Sequence, residues 1–428
     1  MDTFTRSLCE FLDEAHSPYH AQAALRRELE ARGYEKLAEG DGWTLVPGGK
    51  YFVCRGGAAV IAFRVPEGRP QGFLLSAAHT DRPSLKLKEN GEAVGAYVTE
   101  QVERYGGLLM APWLDRPLSV AGRALVQTAE GARVALVDID RDLMLIPSVA
   151  IHMNRQANDG YKWNPVTDLN PLLGGKDAAG KLRALLEETA GGKLLGHDLT
   201  LYVREKARVW GIDEEYISSQ ALDDLQCVWG CFRGFLESDG GADIPVFCAL
   251  NSEEIGSCTA GGADSTLISD VLERIAEGLG VDVRQLLSRS FLVSADNAHA
   301  IHPNHPELAD RGNAPVMGQG IVVKFNANQR YCTDALSAAL FRQVCAKAGA
   351  PVQTYYNRPD IPGGSTLGCI SIAHVSVPTV DIGLPQLAMH SCYETAGARD
   401  TISLIRLMEE FYASHFEETA SGTLAICK

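Results

Sequence analysis

The chain has 428 residues, of which 46% are hydrophobic and 22% are charged, and its net charge at pH 7 is −15. Its length exceeds one simple core, its composition is ordinary for a globular protein, and its acidic balance argues against binding nucleic acid, which favours a basic surface. The eleven cysteines are scattered, the start shows no secretory pattern and no long uncharged apolar stretch occurs, so we expect a cytoplasmic protein.

The first half of the chain changes character partway along. Apolar residues between Phe4 and Arg32 have roughly helical spacing, and strand-like runs follow at residues 51–54, 59–64 and 72–78. From about Glu92 to Arg208, strand-like pieces surround a polar, Asn-rich stretch. These pieces are predicted at residues 120–128, 134–138 and 199–204. This middle block contributes no candidate metal ligand, so we interpret it as an insertion.

Helices and strands alternate in the rest of the chain. Helices are predicted at residues 222–236, 269–279 and 336–348. Strands are predicted at residues 246–250, 291–295, 352–356 and 379–382. This alternation predicts an α/β layered fold. We expect one discontinuous catalytic domain made of residues 1–90 and 216–428, with residues 91–215 as the insert.

Several candidate catalytic residues follow apolar runs that have the length of buried strands. His79, Asp296 and His390 each come after such a run, and the carboxyl ends of strands are where open α/β sheets place their sites. Asp81, two residues after His79, could orient the second ring nitrogen of a ligating imidazole. Taken alone, each histidine is as well explained by a structural role.

Two pairs of adjacent acids add to these candidates. Glu253 and Glu254 follow an apolar run, where carboxylates are costly to keep charged unless a cation or a proton relay uses them. Adjacent side chains on extended backbone diverge, so one could bind a metal while the other takes a proton from water. The alternative is a solvated acidic loop. Asp223 and Asp224 open a predicted helix, where a capping role is the alternative.

Together the candidates form a set of nitrogen and oxygen donors, with Glu253 left over as a base. The set comprises His79, Asp223, Glu254, Asp296 and His390. Such donors suit zinc, manganese or cobalt. Five ligands are too many for one catalytic zinc but suit two metals that share a bridging carboxylate. The motifs of P-loop proteins, H-E-x-x-H peptidases, G-x-S-x-G hydrolases and C-x-x-C proteins are absent from the sequence.

The chain resembles the M18 aminopeptidases, the aspartyl aminopeptidase family, in order from about residue 5 to residue 425. The segments that carry the resemblance are SAAHTDRPSLKLK at 76–88, LDD at 222–224, NSEEIGS at 251–257, DNAHA at 296–300, KFNANQRY at 324–331 and PQLAMHS at 385–391. The resemblance implies a mixed-sheet, phosphorylase/hydrolase-like zinc exopeptidase sandwich. It also implies that the insert is a β-rich dimerisation domain and that dimers build a tetrahedral dodecamer.

The resemblance implies roles for individual residues as well. The implied metal ligands are His79, Asp296, Glu254, His390 and the bridging Asp223. Glu253 would be the general base, and Asp81 would orient His79. His152 would reach a neighbouring subunit's active site and steady the substrate carbonyl there. Lys324 would lie near the pocket for the first side chain, where it could pair with an acidic group. The family's usual Leu-Asp-Asn is Leu-Asp-Asp here, so Asp224 adds a carboxylate.

We therefore expect a metalloaminopeptidase with two divalent ions, zinc before cobalt or manganese, that removes N-terminal residues from peptides with a free N-terminus. Acidic N-terminal residues, Asp or Glu, are the expected preference, and a neutral or broad specificity is the alternative. A co-catalytic metal deacylase or carboxypeptidase and an inactive assembly or binding protein that retains the fold are the rival functions. No nucleic-acid or membrane partner is expected.

Overall fold

The computed structural model describes residues 2–418 and 424–427 as a mixed α/β protein. Residues 419–423 and 428, which belong to the predicted segment 216–428, lie outside the described residues. The helices are α1 (Thr3–Glu14), α2 (Pro18–Ala31), α3 (Pro165–Asp168), α4 (Lys181–Ala190), α5 (Leu222–Glu237), α6 (Leu267–Gly278), α7 (Val283–Leu287), α8 (Ala335–Ala348), α9 (Leu367–His374) and α10 (Asp400–Tyr412).

In the part of the chain that the structure describes, the strands form four sheets. In chain order they are β1 (Glu35–Lys36), β2 (Lys50–Arg55), β3 (Ala59–Arg64), β4 (Phe73–His79), β5 (Ser84–Val94), β6 (Tyr97–Tyr105), β7 (Leu118–Gln127), β8 (Ala132–Asp138), β9 (Leu172–Gly175), β10 (Leu194–Val203), β11 (Arg208–Trp210), β12 (Tyr216–Ser219), β13 (Ile244–Leu250), β14 (Phe291–Ala295), β15 (Ala298–His299), β16 (Ile321–Phe325), β17 (Val352–Tyr356), β18 (Thr379–Gly383), β19 (Pro385–Leu387), β20 (Glu394–Gly397), β21 (His415–Glu418) and β22 (Leu424–Cys427).

The largest sheet has nine strands in the order β1-β2-β3-β13-β4-β14-β18-β16-β17. Its central strands β13, β4, β14 and β18 run parallel, whereas β3 and β16 pair with their neighbours β13 and β18 in the antiparallel sense. Every residue of β4, β13, β14 and β18 is buried. Helices cover both faces of a parallel sheet, which explains why these strands read as continuous apolar runs rather than as alternating patterns.

One hydrophobic core lies on each face of the nine-stranded sheet. Helices α1, α2, α5, α8 and α10 contribute to the first core, and α6, α7 and α9 contribute to the second. Gly230 and Gly234 allow α5 and α10 to pack closely, because a Cβ on them would lie 2.5 Å from Leu404 Cδ2 and 2.3 Å from Met408 Cβ. This packing holds the first turn of α5, where Asp223 lies, against the sheet.

A six-stranded antiparallel sheet in the order β8-β7-β10-β5-β6-β9 has its own core beneath α4. Its strands span residues 84–203, so the sheet begins a few residues before the predicted insert boundary at residue 91. A five-stranded sheet in the order β11-β12-β20-β19-β15 joins the segment after it to the C-terminal part of the chain. The assignment of residues 91–215 as a dimerisation domain stays a prediction.

The predicted α/β class is confirmed, with one difference near the start of the chain. The helical spacing between Phe4 and Arg32 belongs to two helices, because Pro18 starts α2 and Ser17 caps it by accepting the backbone N–H of His20. Across residues 2–418 and 424–427, every helix is too short or too polar to cross a bilayer. The cytoplasmic location stays a prediction.

Candidate metal centre

Four of the predicted site residues lie at one edge of the nine-stranded sheet. His79 is the last residue of β4 and pairs in register with Leu250, the last residue of β13. Glu253 and Glu254 follow β13 in a single 3-10 turn, and Asp296 follows β14 directly. These strands are parallel neighbours, so their carboxyl ends meet at the same edge.

Asp223 reaches the same edge from the first turn of α5. Neither Asp223 nor Asp224 acts as the N-cap, since Ala221 holds that position in the left-handed region with φ 56° and makes no side-chain capping bond. Both aspartates have non-helical backbone angles, and the peptide bond between them is cis. The side chain of Asp223 faces His79, and that of Asp224 accepts the backbone N–H groups of His79 and Asn297, so neither side chain has the capping role that was the alternative for acids at this position.

The carboxylate of Asp223 lies between two histidines. Its Oδ1 is 3.5 Å from His79 Nε2, and its Oδ2 is 3.6 Å from His390 Nε2. His390 Nε2 is also 3.4 Å from Glu254 Oε2. Each oxygen of Asp223 thus faces a different imidazole, which is the arrangement that a bridging carboxylate needs.

Within residues 2–418 and 424–427, two groups of donor atoms lie close enough to hold an ion, and Asp223 belongs to both. In each group the donor atoms all lie within 4.8 Å of one another. The first group is His79, Asp223 and Glu254, and the second is Asp223, Asp224 and Asp296. The second group contains Asp224, which sequence reasoning treated only as an extra carboxylate beside the centre.

The residues present fit divalent cations. Asp223 Oδ1 and Glu254 Oε1 are buried without a hydrogen-bond partner, and an uncompensated buried carboxylate is costly. Burial raises the pKa of Glu254 well above its ordinary value, and the nearby Asp223 raises it further. Burial lowers the pKa of His79, but contacts with Asp223 and Asp81 outweigh it and raise that pKa well above its ordinary value. A cation among these groups would compensate the excess negative charge.

Asp81 supports the site through its backbone and its side chain. Its carbonyl oxygen lies 3.1 Å from His79 Nδ1, whereas its Oδ1 lies 3.4 Å from the same nitrogen. The carboxylate accepts the backbone N–H groups of Glu253 at 3.0 Å and Glu254 at 3.2 Å, and the hydroxyl of Tyr105 at 2.8 Å. One residue therefore orients the His79 imidazole and also fixes the turn that carries both glutamates.

Asp224 and Glu394 hold other parts of the centre in place. Asp224 accepts the backbone N–H of His79 through Oδ2 and that of Asn297 through Oδ1, each at 3.2 Å. Glu394 accepts the backbone N–H of Asp223 at 3.0 Å and that of His390 at 2.8 Å. Sequence reasoning missed Glu394, and the only signal for it was an acid in the otherwise small and apolar segment that forms β20.

Glu253 lies beside the ligand groups without belonging to either. It lines the same cavity as His79, Asp223 and Asp296 and is half-buried. Burial raises its pKa to about 8, and the carboxylates of Asp296 and Asp223 contribute to the increase. The sequence-based argument assumed extended backbone at these two glutamates, but they lie in a 3-10 turn and both line the cavity, so their separate roles stay a prediction.

The cavity at the centre measures ≈ 190 Å³, and its walls also include Tyr331, Tyr355, His299 and Met389. Lys324 also lines it but is buried, with Nζ donating to the carbonyl oxygen of Asn297 at 2.8 Å. The same Nζ lies 3.6 Å from Asp296 Oδ1 and 5.5 Å from the centre of the Tyr331 ring. The Lys324 ammonium therefore already forms an ion pair with the Asp296 carboxylate.

His152 is the one predicted site residue that does not join the others within the chain. It lies exposed in a turn of the middle segment, next to the exposed Ile151 and Met153. The described residues that line the centre do not include it. The role of His152 stays a prediction.

The chain matches known proteins along almost its whole length. A family model described as aminopeptidase I zinc metalloprotease (M18) matches residues 11–412. The probable M18 family aminopeptidase 2 of Pseudomonas aeruginosa is 39% identical over 421 residues, which cover 96% of this chain and 98% of that protein.

Solved structures show the same fold. A chain in the cryo-EM structure of the Ape4 and Nbr1 complex superimposes with a TM-score of 0.93 at 34% identity, over 96% of this chain and 85% of that one. A chain of the S. cerevisiae mApe1 dodecamer superimposes with a TM-score of 0.84 at 25% identity, over 96% of each chain.

Proposed function

Because the chain belongs to the M18 family of zinc aminopeptidases, we propose that it removes N-terminal residues from peptides at a dinuclear metal centre. The ligands in this proposal are His79, Asp223, Glu254, Asp296 and His390. The observation that carries it is the position of Asp223, whose two carboxylate oxygens each face a different histidine. A carboxylate in that position can be shared by two ions, one on each side.

Glu253 is the general base in this proposal. Zinc ions held by the five ligands would supply Lewis-acid charge for hydrolysis of the peptide bond. Glu253 takes a proton from the attacking water and gives it to the leaving amine. Its backbone N–H is bound by Asp81 at 3.0 Å, which fixes the start of the side chain relative to His79. The fixed geometry keeps the base near the reacting water without making it a ligand.

Lys324 makes acidic N-terminal residues the preferred substrates in this proposal. Its ammonium lines the cavity, where it could pair with a substrate carboxylate. A neutral or broad preference is the second candidate, because Lys324 already bonds the Asn297 carbonyl and lies near Asp296. Cleavage rates on the anilides of Asp, Glu, Leu and Ala distinguish the two specificities. Only an acidic preference predicts that the Asp and Glu anilides are cleaved faster than the Leu and Ala anilides.

The insert, residues 91–215, is the dimerisation domain in this proposal, and dimers build a dodecamer. The yeast relative forms a dodecamer, and the turn around His152 exposes apolar side chains that include Val149, Ile151 and Met153. In a dimer, His152 of one subunit would steady the substrate carbonyl in the other. Light scattering of the purified protein measures the number of subunits directly.

One experiment tests the activity itself. The zinc-loaded protein should cleave peptides with a free N-terminus and leave their N-acetylated versions intact. Cleavage of the blocked peptides would favour the rival function, a co-catalytic metal deacylase or carboxypeptidase. Binding of zinc without cleavage of either set would favour an inactive protein that retains the fold. The same assay with cobalt or manganese shows which ion supports the highest rate.

A further inference from the structure

A second cavity lies between the six-stranded sheet and the loops of the nine-stranded sheet. Its volume is ≈ 330 Å³, within the range of small-molecule sites, which often lie between domains. We call it the interface cavity, and its walls include Tyr19, Arg55, Lys86, Arg123, Asp198 and Asn251. Neither the metal ligands nor the substrate residues described above line it, apart from the supporting residue Asp81.

The interface cavity has a surplus of positive charge in a chain whose net charge is −15. Lys86 and Arg123 share a single carboxylate, since they donate to Asp198 at 2.7 Å and 2.9 Å. Both remain accessible, with 41% and 29% of their side chains exposed. Arg123 is also stacked on Tyr19, 4.5 Å from the ring centre. These two cations can therefore accept an anion from solvent without displacing a buried partner.

A hydrogen-bond acceptor in the same cavity has no donor. Asn251 Oδ1 is buried and unpartnered. The groups lie near one another, because Arg123 donates to the carbonyl of Gly56, the residue after Arg55. A methyl group built on Gly261 would lie 3.7 Å from the Arg55 carbonyl oxygen and 3.8 Å from Asn251 Cβ. A ligand with both an anionic group and a hydrogen-bond donor would pair with Lys86 and Arg123 and, once the Asn251 side chain turns toward the cavity, with Asn251 Oδ1.

We propose that the interface cavity binds a free α-amino acid. The carboxylate would pair with Arg123 and Lys86, and the ammonium group would donate to Asn251 Oδ1. An aminopeptidase releases free amino acids, so the ligand would be a product of the enzyme's own reaction. Binding there would be a second, regulatory event, separate from product that remains at the metal centre.

The cavity wall connects directly to Glu253. Tyr105 lines the cavity and donates to Asp81 at 2.8 Å, and Asp81 accepts the backbone N–H of Glu253. Ser252, also in the wall, immediately precedes Glu253 and has a positive φ of 65°. A ligand that shifts either residue moves the turn that carries Glu253. The bound amino acid should therefore change kcat more than KM.

The test is glycine binding to the zinc-loaded protein with its metal centre blocked by leucine hydroxamate, which has no carboxylate. Equilibrium dialysis should show one glycine per chain that binds at least tenfold tighter than acetate, which lacks the ammonium group. Arg123→Gln and Lys86→Gln should each weaken glycine binding at least tenfold. Arg204→Gln is the control, because Arg204 follows β10 in the same sheet and also pairs with aspartates, Asp140 and Asp142, but does not line the cavity.

Equilibrium dialysis measures glycine binding without turnover, so its result does not depend on whether the proposed catalytic function is correct. Thermal melting verifies that each variant is folded, and Lys86→Gln serves if Arg123→Gln does not fold. Absence of saturable glycine binding, or equal affinity in the parent and Lys86→Gln, overturns the proposal. Equal affinity for acetate and glycine overturns the role of Asn251. Without leucine hydroxamate, glycine should change kcat in the parent but not in Arg123→Gln or Lys86→Gln. If glycine changes kcat equally in both variants, the proposed link between the interface cavity and Glu253 is wrong.

Discussion

The carboxylate of Asp81 accepts the backbone N–H of Glu253 at 3.0 Å, although the two residues are 172 positions apart in the sequence. The carbonyl of the same Asp81 lies 3.1 Å from His79 Nδ1. A single residue therefore sets the position of a candidate metal ligand and of the candidate base. This link makes the two halves of the site depend on each other, and it determines what several substitutions should do.

Glu253→Gln should reduce kcat by roughly a hundredfold to ten-thousandfold, the range that general-base catalysis contributes. The amide keeps the size of the side chain but cannot carry the proton. Zinc content, measured by atomic absorption, should stay at the parent level because Glu253 is not a ligand. Glu254→Gln is the matched control and should lose zinc. Loss of zinc from Glu253→Gln instead would mean that the roles of the two glutamates are exchanged.

Asp81→Asn should reduce kcat/KM or zinc affinity by roughly tenfold to a hundredfold, as expected for a group that supports metal ligands. An asparagine has one acceptor oxygen, whereas the Asp81 carboxylate serves three donors. At least one backbone N–H of the glutamate turn would then lose its partner. Tyr105→Phe removes only one donor and should have a smaller effect. Equal effects of the two substitutions would contradict this account.

His152→Ala should reduce kcat without changing the subunit number measured by light scattering. The decisive experiment mixes it with Glu253→Gln. If His152 acts in a neighbouring subunit, a mixed pair contains one site with both an intact Glu253 and a partner-supplied His152. Co-expression of the two inactive variants should then restore part of the activity. A mixture as inactive as its components would rule out this exchange between subunits.

Lys324→Met should lower kcat/KM for Asp-anilide more than for Leu-anilide. The lysine lines the cavity, and its loss removes the positive charge that would pair with an acidic substrate. Lys324 also bonds the Asn297 carbonyl, so both rates should fall to some extent. The ratio of the two rates is therefore the quantity to measure. An unchanged ratio would favour the broad or neutral specificity.

Asp400 should make stability depend on pH between about 4 and 6. Burial raises its pKa to about 6, although it accepts the backbone N–H groups of Gly318 and Gly320. The folded-state pKa exceeds the unfolded value, so the folded state binds the proton more tightly. The resulting stabilisation is complete below about pH 4 and is lost as pH rises through about 6, a change of about 3 kcal/mol.

Asp400→Asn tests this dependence. Melting temperatures of the parent and the variant should be compared at about pH 4.5 and pH 7, with both proteins stripped of metal by EDTA so that pH-dependent loss of metal does not differ between them. The variant has one carbonyl oxygen in place of the two carboxylate oxygens that accept from Gly318 and Gly320, so it should melt at a lower temperature. The difference in melting temperature between the parent and the variant should be smaller at pH 7 than at about pH 4.5. A difference that is the same at both pH values would show that Asp400 does not titrate in this range.

The amino-acid sequence was sufficient to predict the α/β class and most of the residues that meet at the site, although it missed Glu394. His79, Glu253, Glu254 and Asp296 follow runs that are mainly apolar, and such runs form the buried parallel strands of the sheet. Parallel strands align their carboxyl ends, so residues that follow them converge without any knowledge of the loops. The resemblance to a known family supplied the expected roles of His152 and Lys324, which the residue pattern alone did not indicate.

Other relationships depend on contacts between distant segments that no local pattern records. Glu394 binds the backbone of Asp223 across 171 positions, and Gly107 accepts from His390 across 283. The interface cavity likewise exists only because two sheets and the start of α2 face one another. Sequence periodicity reports which side of an element is buried, whereas the partner on that side is decided by tertiary packing. The sequence therefore identified the residues at the strand ends, and the fold decided what holds them in position.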